Sequence, residues 1–430
     1  MTQALRIGIA GLGTVGAGVV RLLTENADLI AARTGRAIEI VAVNARTKNK
    51  DRGVDLSRYT WVDNAAAMAN DKNIDVIVEL IGGSDGAAYD LVKASLQAGK
   101  HVVTANKALL AHKGLELAQI AESKGVALQY EAAVAGGIPI IKSMREGFAG
   151  NNINHVHGIL NGTCNYILTE MRLTGRSFED VLKEAQEKGY AEADPSFDVD
   201  GIDAAHKLCI LAALAFGVQP DFKALDVQGI RNITASDIAY AGELGYKIKL
   251  LGIARRSGDK ISQSVEPCLV PQDSPLGAVE GVYNAVMAEG DFVGASMAEG
   301  RGAGAGPTAS AVVADIMDLA RGVRLPTFGV SHAHLTKAKA ASPEDIISSY
   351  YLRLVVLDQP GVIADLSAVL RDHKISIEAL LQRGRDPGQP VSIVIVTHEI
   401  NQAAMRRAVA EIGRLSTVAQ APTCLRIEHI

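Results

Sequence analysis

Residues 5–10 (LRIGIA) are apolar apart from Arg6 and predict a buried strand. The strand runs straight into Gly11-Leu12-Gly13-Thr14-Val15-Gly16, after which Val15, Val19, Val20, Leu22 and Leu23 recur at helical spacing. The pattern then repeats. Glu39–Val43 predicts a second strand, and residues 74–81 (IDVIVELI) a third, ending at Gly82-Gly83-Ser84. A helix closing at Gly99 leads to strand His101–Thr104 and then Ala105-Asn106-Lys107; after another helix, Val126–Tyr130 makes one more strand. Strands alternating with helices predict an α/β domain with a doubly wound parallel sheet, which binds ligands at its strand C-terminal ends.

From Glu131 the pattern changes. Residues 131–139 (EAAVAGGIP) are small, apolar and turn-prone, and predict a hinge into a second domain. There, His155–Leu160 reads as a strand, followed by Asn161-Gly162-Thr163, while Tyr246–Ala254 and Val279–Glu289 alternate as strands of a second sheet. Glycines at alternate positions in Gly302–Gly306, before a helix over Ala309–Leu319, imply backbone pressed against a ligand or another segment; the pattern does not choose. Residues 338–348 are small and polar and read as a linker. The tail, 349–430, has strands at Tyr350–Leu357, Val391–Thr397 and Cys424–Ile427. A helix opens after Asp358-Gln359-Pro360-Gly361 and another covers Gln402–Ile412, a βαββαβ order without obvious catalytic residues.

The densest chemistry lies in Gly189–Lys207, which holds Glu192, Asp194, Asp198, Asp200, Asp203 and Lys207. Its first half is an irregular acidic loop containing Pro195; its second half opens a helix from about Gly201 that stops at Gly217. Residues 208–216 carry no charge, so this helix is apolar nearly all round and belongs in an interior. Asp203 and Lys207, four apart, share a helical face. Burying both costs several kcal/mol per ion unless they are paired or used. An i,i+4 salt bridge accounts for the spacing alone; the extra carboxylates in front favour a polar pocket for a charged ligand.

Composition narrows the class. A chain of 430 residues makes two or three domains, and its net charge of −5 with no basic run argues against nucleic acid as a partner. No stretch of 18 uninterrupted apolar residues predicts a membrane span, and the N-terminus carries no signal-peptide pattern, so a cytoplasmic protein is expected. Cys164, Cys209, Cys268 and Cys424 lie far apart and read as buried hydrophobes, not zinc ligands or disulfides.

Gly11, Gly13 and Gly16 form a GxGxxG run in the context that gives it meaning: after a strand, opening a helix. They allow the tight turn, the approach of a pyrophosphate and close helix packing, with the phosphates over Thr14 and Val15 at the helix N-terminus. An NAD site places an acid at the end of the second strand; this chain has Asn44-Ala45-Arg46-Thr47-Lys48. Arg46 and Lys48 therefore predict NADP(H), with NAD(H) as the alternative. Ser84 and Lys107 follow strand ends and face the same crevice.

Taken together, these motifs resemble homoserine dehydrogenase with a C-terminal ACT domain. The likeness runs over nearly the whole chain: HVVTANKALLA at His101–Ala111, ILNGTCNYIL at Ile159–Leu168, GYAEADPSFDVDGIDAAHKL from Gly189, ELGYKIKLLGIA at Glu243–Ala254 and GAGAGPTASAVVAD at Gly302–Asp315. The resemblance implies three units: a Rossmann domain over 1–133 completed by about 302–340, an α+β catalytic and oligomerisation domain over 134–301, and a ferredoxin-like ACT domain over 349–430. It implies reversible, nicotinamide-dependent interconversion of L-homoserine and L-aspartate 4-semialdehyde in threonine, methionine and isoleucine biosynthesis. Lys207 matches the proton donor, Lys107 a lysine near the nicotinamide and Asp203 a residue around the substrate, which one turn before Lys207 can orient its ammonium or bond the substrate. Gly189, Glu192 and Asp198 match the substrate's surroundings, and Gly304 and Gly306 a return to the cofactor. Glu131, Val134, Gly136 and Ile138 match a sodium site, through the carboxylate or backbone carbonyls. Asp358 and Gly361 match an amino-acid effector site, with L-threonine as the expected ligand. A homodimer or homotetramer is the implied assembly.

Two other readings compete. An aspartate semialdehyde dehydrogenase needs a nucleophilic cysteine, for which Cys164 is the one candidate near a motif. A regulatory binding protein leaves the Asp203–Lys207 pair unexplained.

Overall fold

The computed structural model describes residues 3–383 and 390–430. Its first sheet is parallel and six-stranded, in the order Thr60–Trp61, Ile38–Asn44, Leu5–Ala10, Val76–Glu79, His101–Thr104, Leu128–Gln129. This is the doubly wound order with its switch point beside the first strand. Ala10 pairs with both Asn44 and Glu79, and Glu79 with Thr104, so the strand C-termini reach one level. Apolar residues on both faces fit a parallel sheet covered by helices. The helix Ala305–Ala320 is one cover: Gly18 of helix Thr14–Glu25 approaches it so closely that a Cβ there would lie 2.9 Å from the Ala305 carbonyl oxygen.

The second sheet has twelve strands and does not stop where the tail begins. From one edge it runs Gly294–Arg301, Tyr283–Gly290, Ile153–Ile159, Tyr246–Ser257 and Lys260–Pro271; it continues through Thr423–Ile427 to Ile347–Leu357, Pro390–Thr397 and Ile377–Gln382. The junction is a short parallel pairing of Cys268 with Arg426 and Leu269 with Ile427. The tail is thus an ACT-type βαββαβ unit whose last strand is shared with its neighbour's sheet.

The segment 338–348 differs from its reading as a linker. Lys339–Ala340 pairs with Lys260–Ile261, Ser342 and Asp345 bond to each other, and the first strand of the tail already starts at Ile347. Small polar residues resemble a flexible connector locally, but backbone pairing to a distant strand holds these in place.

The helix Ile202–Phe216 lies between the two units, and all but Ile202 and Ala215 of its residues are buried. One side packs on strands Ile153–Ile159, Tyr246–Ser257 and Lys260–Pro271, the other on helix Lys107–Ser123. Two apolar neighbours explain a helix without a solvated face. It ends where Gly217 takes a left-handed conformation, φ 62°.

Candidate active site

A cleft of about 610 Å³ separates the two units. Val15, Ala105, Lys107 and Gly304 line it from the first; Asn161, Gly189, Glu192, Asp198, Asp203 and Lys207 line it from the second.

At its floor, strand Ile153–Ile159 delivers Leu160 and Asn161. The Lys207 ammonium donates to the Leu160 carbonyl at 2.7 Å and to Asp203 Oδ2 at 2.7 Å. The other oxygen, Asp203 Oδ1, lies 3.1 Å from the Lys107 ammonium, which arrives from the first unit at the start of helix Lys107–Ser123. Asn106 caps that helix: its side-chain oxygen accepts from the Leu109 N–H at 3.1 Å, and its amide nitrogen donates to the Gly83 carbonyl at 2.7 Å. One carboxylate therefore holds two ammoniums from two domains.

Asn161 completes the array. Its Oδ1 caps helix Gly162–Thr174 at the Cys164 N–H, 2.8 Å, while its Nδ2 donates to Asp198 at 2.8 Å and to Asp203 at 2.9 Å. Burial opposes the Asp203 charge, but Lys207, Lys107 and the bonds from Lys207 and Asn161 together hold its carboxyl well below the usual range. Asp198 goes the other way: burial, with Asp203 adding to it, raises its carboxyl, and the Asn161 bond only partly offsets this. Two ammoniums thus share one firmly ionised carboxylate, with the Glu192 and Asp198 carboxyls and the Arg301 guanidinium also lining the cleft. Glu192 is exposed on the loop above, and Gly189 adopts φ 73° at its start.

The glycine-rich turn fits a dinucleotide pyrophosphate. Gly11 has φ 102°, and a Cβ on it would meet the Leu80 carbonyl oxygen at 2.4 Å; one on Gly16 would lie 2.1 Å from the Gly11 carbonyl oxygen. Gly13 faces open space, and the helix Thr14–Glu25 has neither a side-chain cap bond nor an acid in its first turn. Its leading N–H groups are left for an anion. The N-termini of Lys107–Ser123 and Ala305–Ala320 meet the same cleft, the latter opening at Gly304 with Gly306 in its first turn.

Arg46 and Lys48 are exposed on the turn beyond the second strand and do not line the cleft itself. Asn44 is buried and donates to the Val62 and Asp63 carbonyls at 2.7 and 3.2 Å, so no carboxylate occupies the ribose position. Ser84 also lies outside the cleft lining, its hydroxyl bonded to Asp85 at 2.8 Å. Sequence reasoning missed three groups here. Arg52 ties the basic turn to the glycine turn through the Leu12 carbonyl at 3.0 Å. Glu79, fully buried, receives the Ile81 and Gly82 N–H groups at 2.7 and 3.0 Å and the Thr104 hydroxyl at 2.6 Å, which shapes two strand ends at once. Asn161 showed its signal as an N-cap after a strand, but its carboxylate partners lie 37 and 42 residues away.

Around the hinge, both Glu131 carboxylate oxygens accept backbone N–H groups, from Ile141 at 2.9 Å and Lys142 at 2.8 Å. Burial and the neighbouring Asp315 push the Glu131 carboxyl up to about 7 despite those bonds. Ala135 and Gly136 both turn left-handed, φ 54° and 45°. In the tail, Asp358 and Gly361 border a separate cavity of about 390 Å³ with Gln382 and Ile393.

Cys164 is fully buried, donates to the Asp198 carbonyl at 3.3 Å, and burial raises its thiol far above the ordinary value. It packs and does not attack, so the aspartate semialdehyde dehydrogenase reading fails. Among the described residues all four cysteines are free thiols, and no helix is long and apolar enough to cross a membrane.

Comparison with known proteins agrees with this geometry. Family models described as homoserine dehydrogenase, homoserine dehydrogenase NAD binding domain and ACT domain match residues 139–317, 11–131 and 350–416. The homoserine dehydrogenase of Neisseria gonorrhoeae is 46% identical over 434 residues, covering 100% of this chain and 99% of the relative. A solved homoserine dehydrogenase structure from Thiobacillus denitrificans is 43% identical, with full coverage of both chains and a TM-score of 0.94. A hyperthermophilic archaeal homoserine dehydrogenase in complex with NADPH is 26% identical with a TM-score of 0.64, over 74% of this chain and 97% of that one. With an NAD-binding domain, an acidic two-lysine cleft and an ACT tail in one chain, this protein belongs to the homoserine dehydrogenase family, enzymes that are oxidoreductases of amino-acid biosynthesis.

Proposed function

We propose that Lys207 is the proton donor and acceptor at the substrate oxygen as the cleft interconverts L-homoserine and L-aspartate 4-semialdehyde. The observation that carries this is the placement of its ammonium. Two of three N–H bonds are used on the Leu160 carbonyl and Asp203, which leaves one for a substrate oxygen in the cleft. Lys107, on the other Asp203 oxygen, adds a second positive charge where an alkoxide forms. Glu192 and Asp198, with the backbone at Gly189, take the substrate's ammonium end. When bound, the nicotinamide supplies or receives the hydride.

NADP(H) is the preferred cofactor in this reading. Asn44 puts a neutral, already bonded side chain where a ribose-binding acid belongs, and Arg46, Lys48 and Arg52 crowd the turn beyond it. The relative bound to NADPH points the same way. A sodium ion is placed in this reading at the hinge of Glu131, Val134, Gly136 and Ile138, held by the carboxylate or the backbone carbonyls. A monovalent cation there would relieve the repulsion between Glu131 and Asp315. L-threonine is the proposed effector, at the tail cavity bordered by Asp358 and Gly361. A homodimer or homotetramer and a cytoplasmic location complete the reading; the strand Gly294–Arg301 leaves one sheet edge unpaired within the described residues.

The test is homoserine-dependent reduction of NADP⁺ and of NAD⁺, followed by nicotinamide absorbance, with and without L-threonine. Faster reduction of NADP⁺, slowed by threonine, is expected. Dominant NAD⁺ reduction would overturn the cofactor assignment, and indifference to threonine the effector assignment.

A further inference from the structure

One pair of side chains joins the two units beside the site without touching the cleft. His112, five residues after Lys107 on its helix, meets His206, next to Lys207 on the other, with their Nε2 atoms 3.1 Å apart. A hydrogen bond between two imidazoles needs one Nε2–H and one bare Nε2. His206 is 5% exposed and its buried Nδ1 has no partner, whereas His112 is exposed. A buried N–H without a partner is the costlier orphan, so His206 keeps Nδ1 bare and donates from Nε2. His112 accepts through its Nε2.

We propose that His112 and His206 are positioning residues, a one-proton latch that sets the distance at which Lys107 reaches Asp203. This rests on the assignment of Lys107, Asp203 and Lys207 to the chemistry. His206 lies three residues after Asp203, on the same helical face, so fixing one helix to the other at His206 fixes the Lys107–Asp203 contact of 3.1 Å. The latch is braced by aromatic rings. His206 stacks on Phe222 at 4.5 Å between centroids and lies 5.6 Å from Phe197; His112 meets Phe222 edge-on at 4.7 Å. Phe197, in the substrate loop, also lies under the Lys107 ammonium at 5.7 Å.

The latch is made with His206 neutral. Charged groups around it are Lys107 and Lys113 on the His112 helix, Asp85 beside that helix, Asp203 and Lys207 on the His206 helix, Asp221 and Lys223 flanking Phe222, and Asp198 beside Phe197. Burial first, then His112 and Lys107, hold the His206 imidazole down at about 4, so it stays neutral.

The test compares kcat and KM of wild type, His112→Ala and His112→Gln in aldehyde reduction at about pH 8, with NADPH affinity and melting temperature as controls. His112→Ala should lower kcat/KM about three- to tenfold at pH 8, the worth of one neutral hydrogen bond, mainly through KM. His112→Gln offers an amide oxygen that accepts from His206, so it should restore kcat/KM. Wild-type kinetics in His112→Ala would overturn the latch. So would a Gln variant as impaired as the Ala variant with unchanged melting temperature. A Lys207→Met variant that keeps normal turnover would sink the proton-donor assignment and leave the comparison of His112 variants readable.

Discussion

Lys107 and Asp203 come from different domains and meet at 3.1 Å across the cleft. Asp203 already holds Lys207 on its other oxygen, so a single carboxylate fixes the spacing of two ammoniums. In the proposed reaction that arrangement brings both ammoniums towards the oxyanion that aldehyde reduction generates, and it requires both units to be in register before it exists.

Asp203→Asn tests this directly. The variant leaves two ammoniums near each other without a countercharge, in a place where Asp203 is 5% exposed. Removing one partner of a buried pair costs about 3–5 kcal/mol. We expect a lower melting temperature together with at least a hundredfold loss of kcat. A variant with wild-type stability and turnover would show that the carboxylate is dispensable.

The same carboxylate predicts an acid dependence. Its folded-state pKa lies below the unfolded value of about 3.9, so its contribution is fully present above that pH and is lost as pH falls towards the folded value. Between about pH 4 and pH 2.5 the wild type should therefore lose stability faster than Asp203→Asn. Parallel curves of melting temperature against pH would contradict this.

Cofactor choice is tested at the basic turn. Arg46→Ser with Lys48→Ser should weaken NADP(H) about tenfold or more while leaving NAD(H) nearly unchanged, since only the former carries the extra phosphate. Titration by nicotinamide fluorescence reads both affinities. Equal losses for the two cofactors would place the 2′-phosphate elsewhere.

The tail is expected to unfold with the rest. Arg353, on the first tail strand, donates to both oxygens of the fully buried Asp237 at 2.6 and 3.0 Å, and Asp237 caps helix Ala235–Glu243 of the catalytic unit. Arg353→Met strands that carboxylate, at a cost of about 3–5 kcal/mol. Calorimetry should show one transition moved down in temperature. Two separate transitions in the wild type would mean a tail that folds on its own.

Much of this was legible in the sequence because local pattern and chemistry coincide there. The GxGxxG turn, its flanking strand and helix, and the buried Asp203–Lys207 helix each carry their meaning within about twenty residues. What the sequence hid depends on distant partners. Arg426 and Glu428 are charged, yet they lie buried where the tail's last strand joins the catalytic sheet, with Arg426 3.0 Å from the half-buried Glu266. No local periodicity announces the parallel pairing of residues 268–269 with 426–427. Asn161 and the His112–His206 contact were hidden for the same reason: each acts on a residue tens of positions away.

The most direct test of the account is Lys207→Ala. We measure its steady-state homoserine oxidation beside its affinity for NADPH. Turnover at least a hundredfold below wild type, with NADPH binding unchanged, is the predicted result, on the scale of general acid–base catalysis. Near-normal turnover would contradict the account and pass the proton to Lys107 or to water.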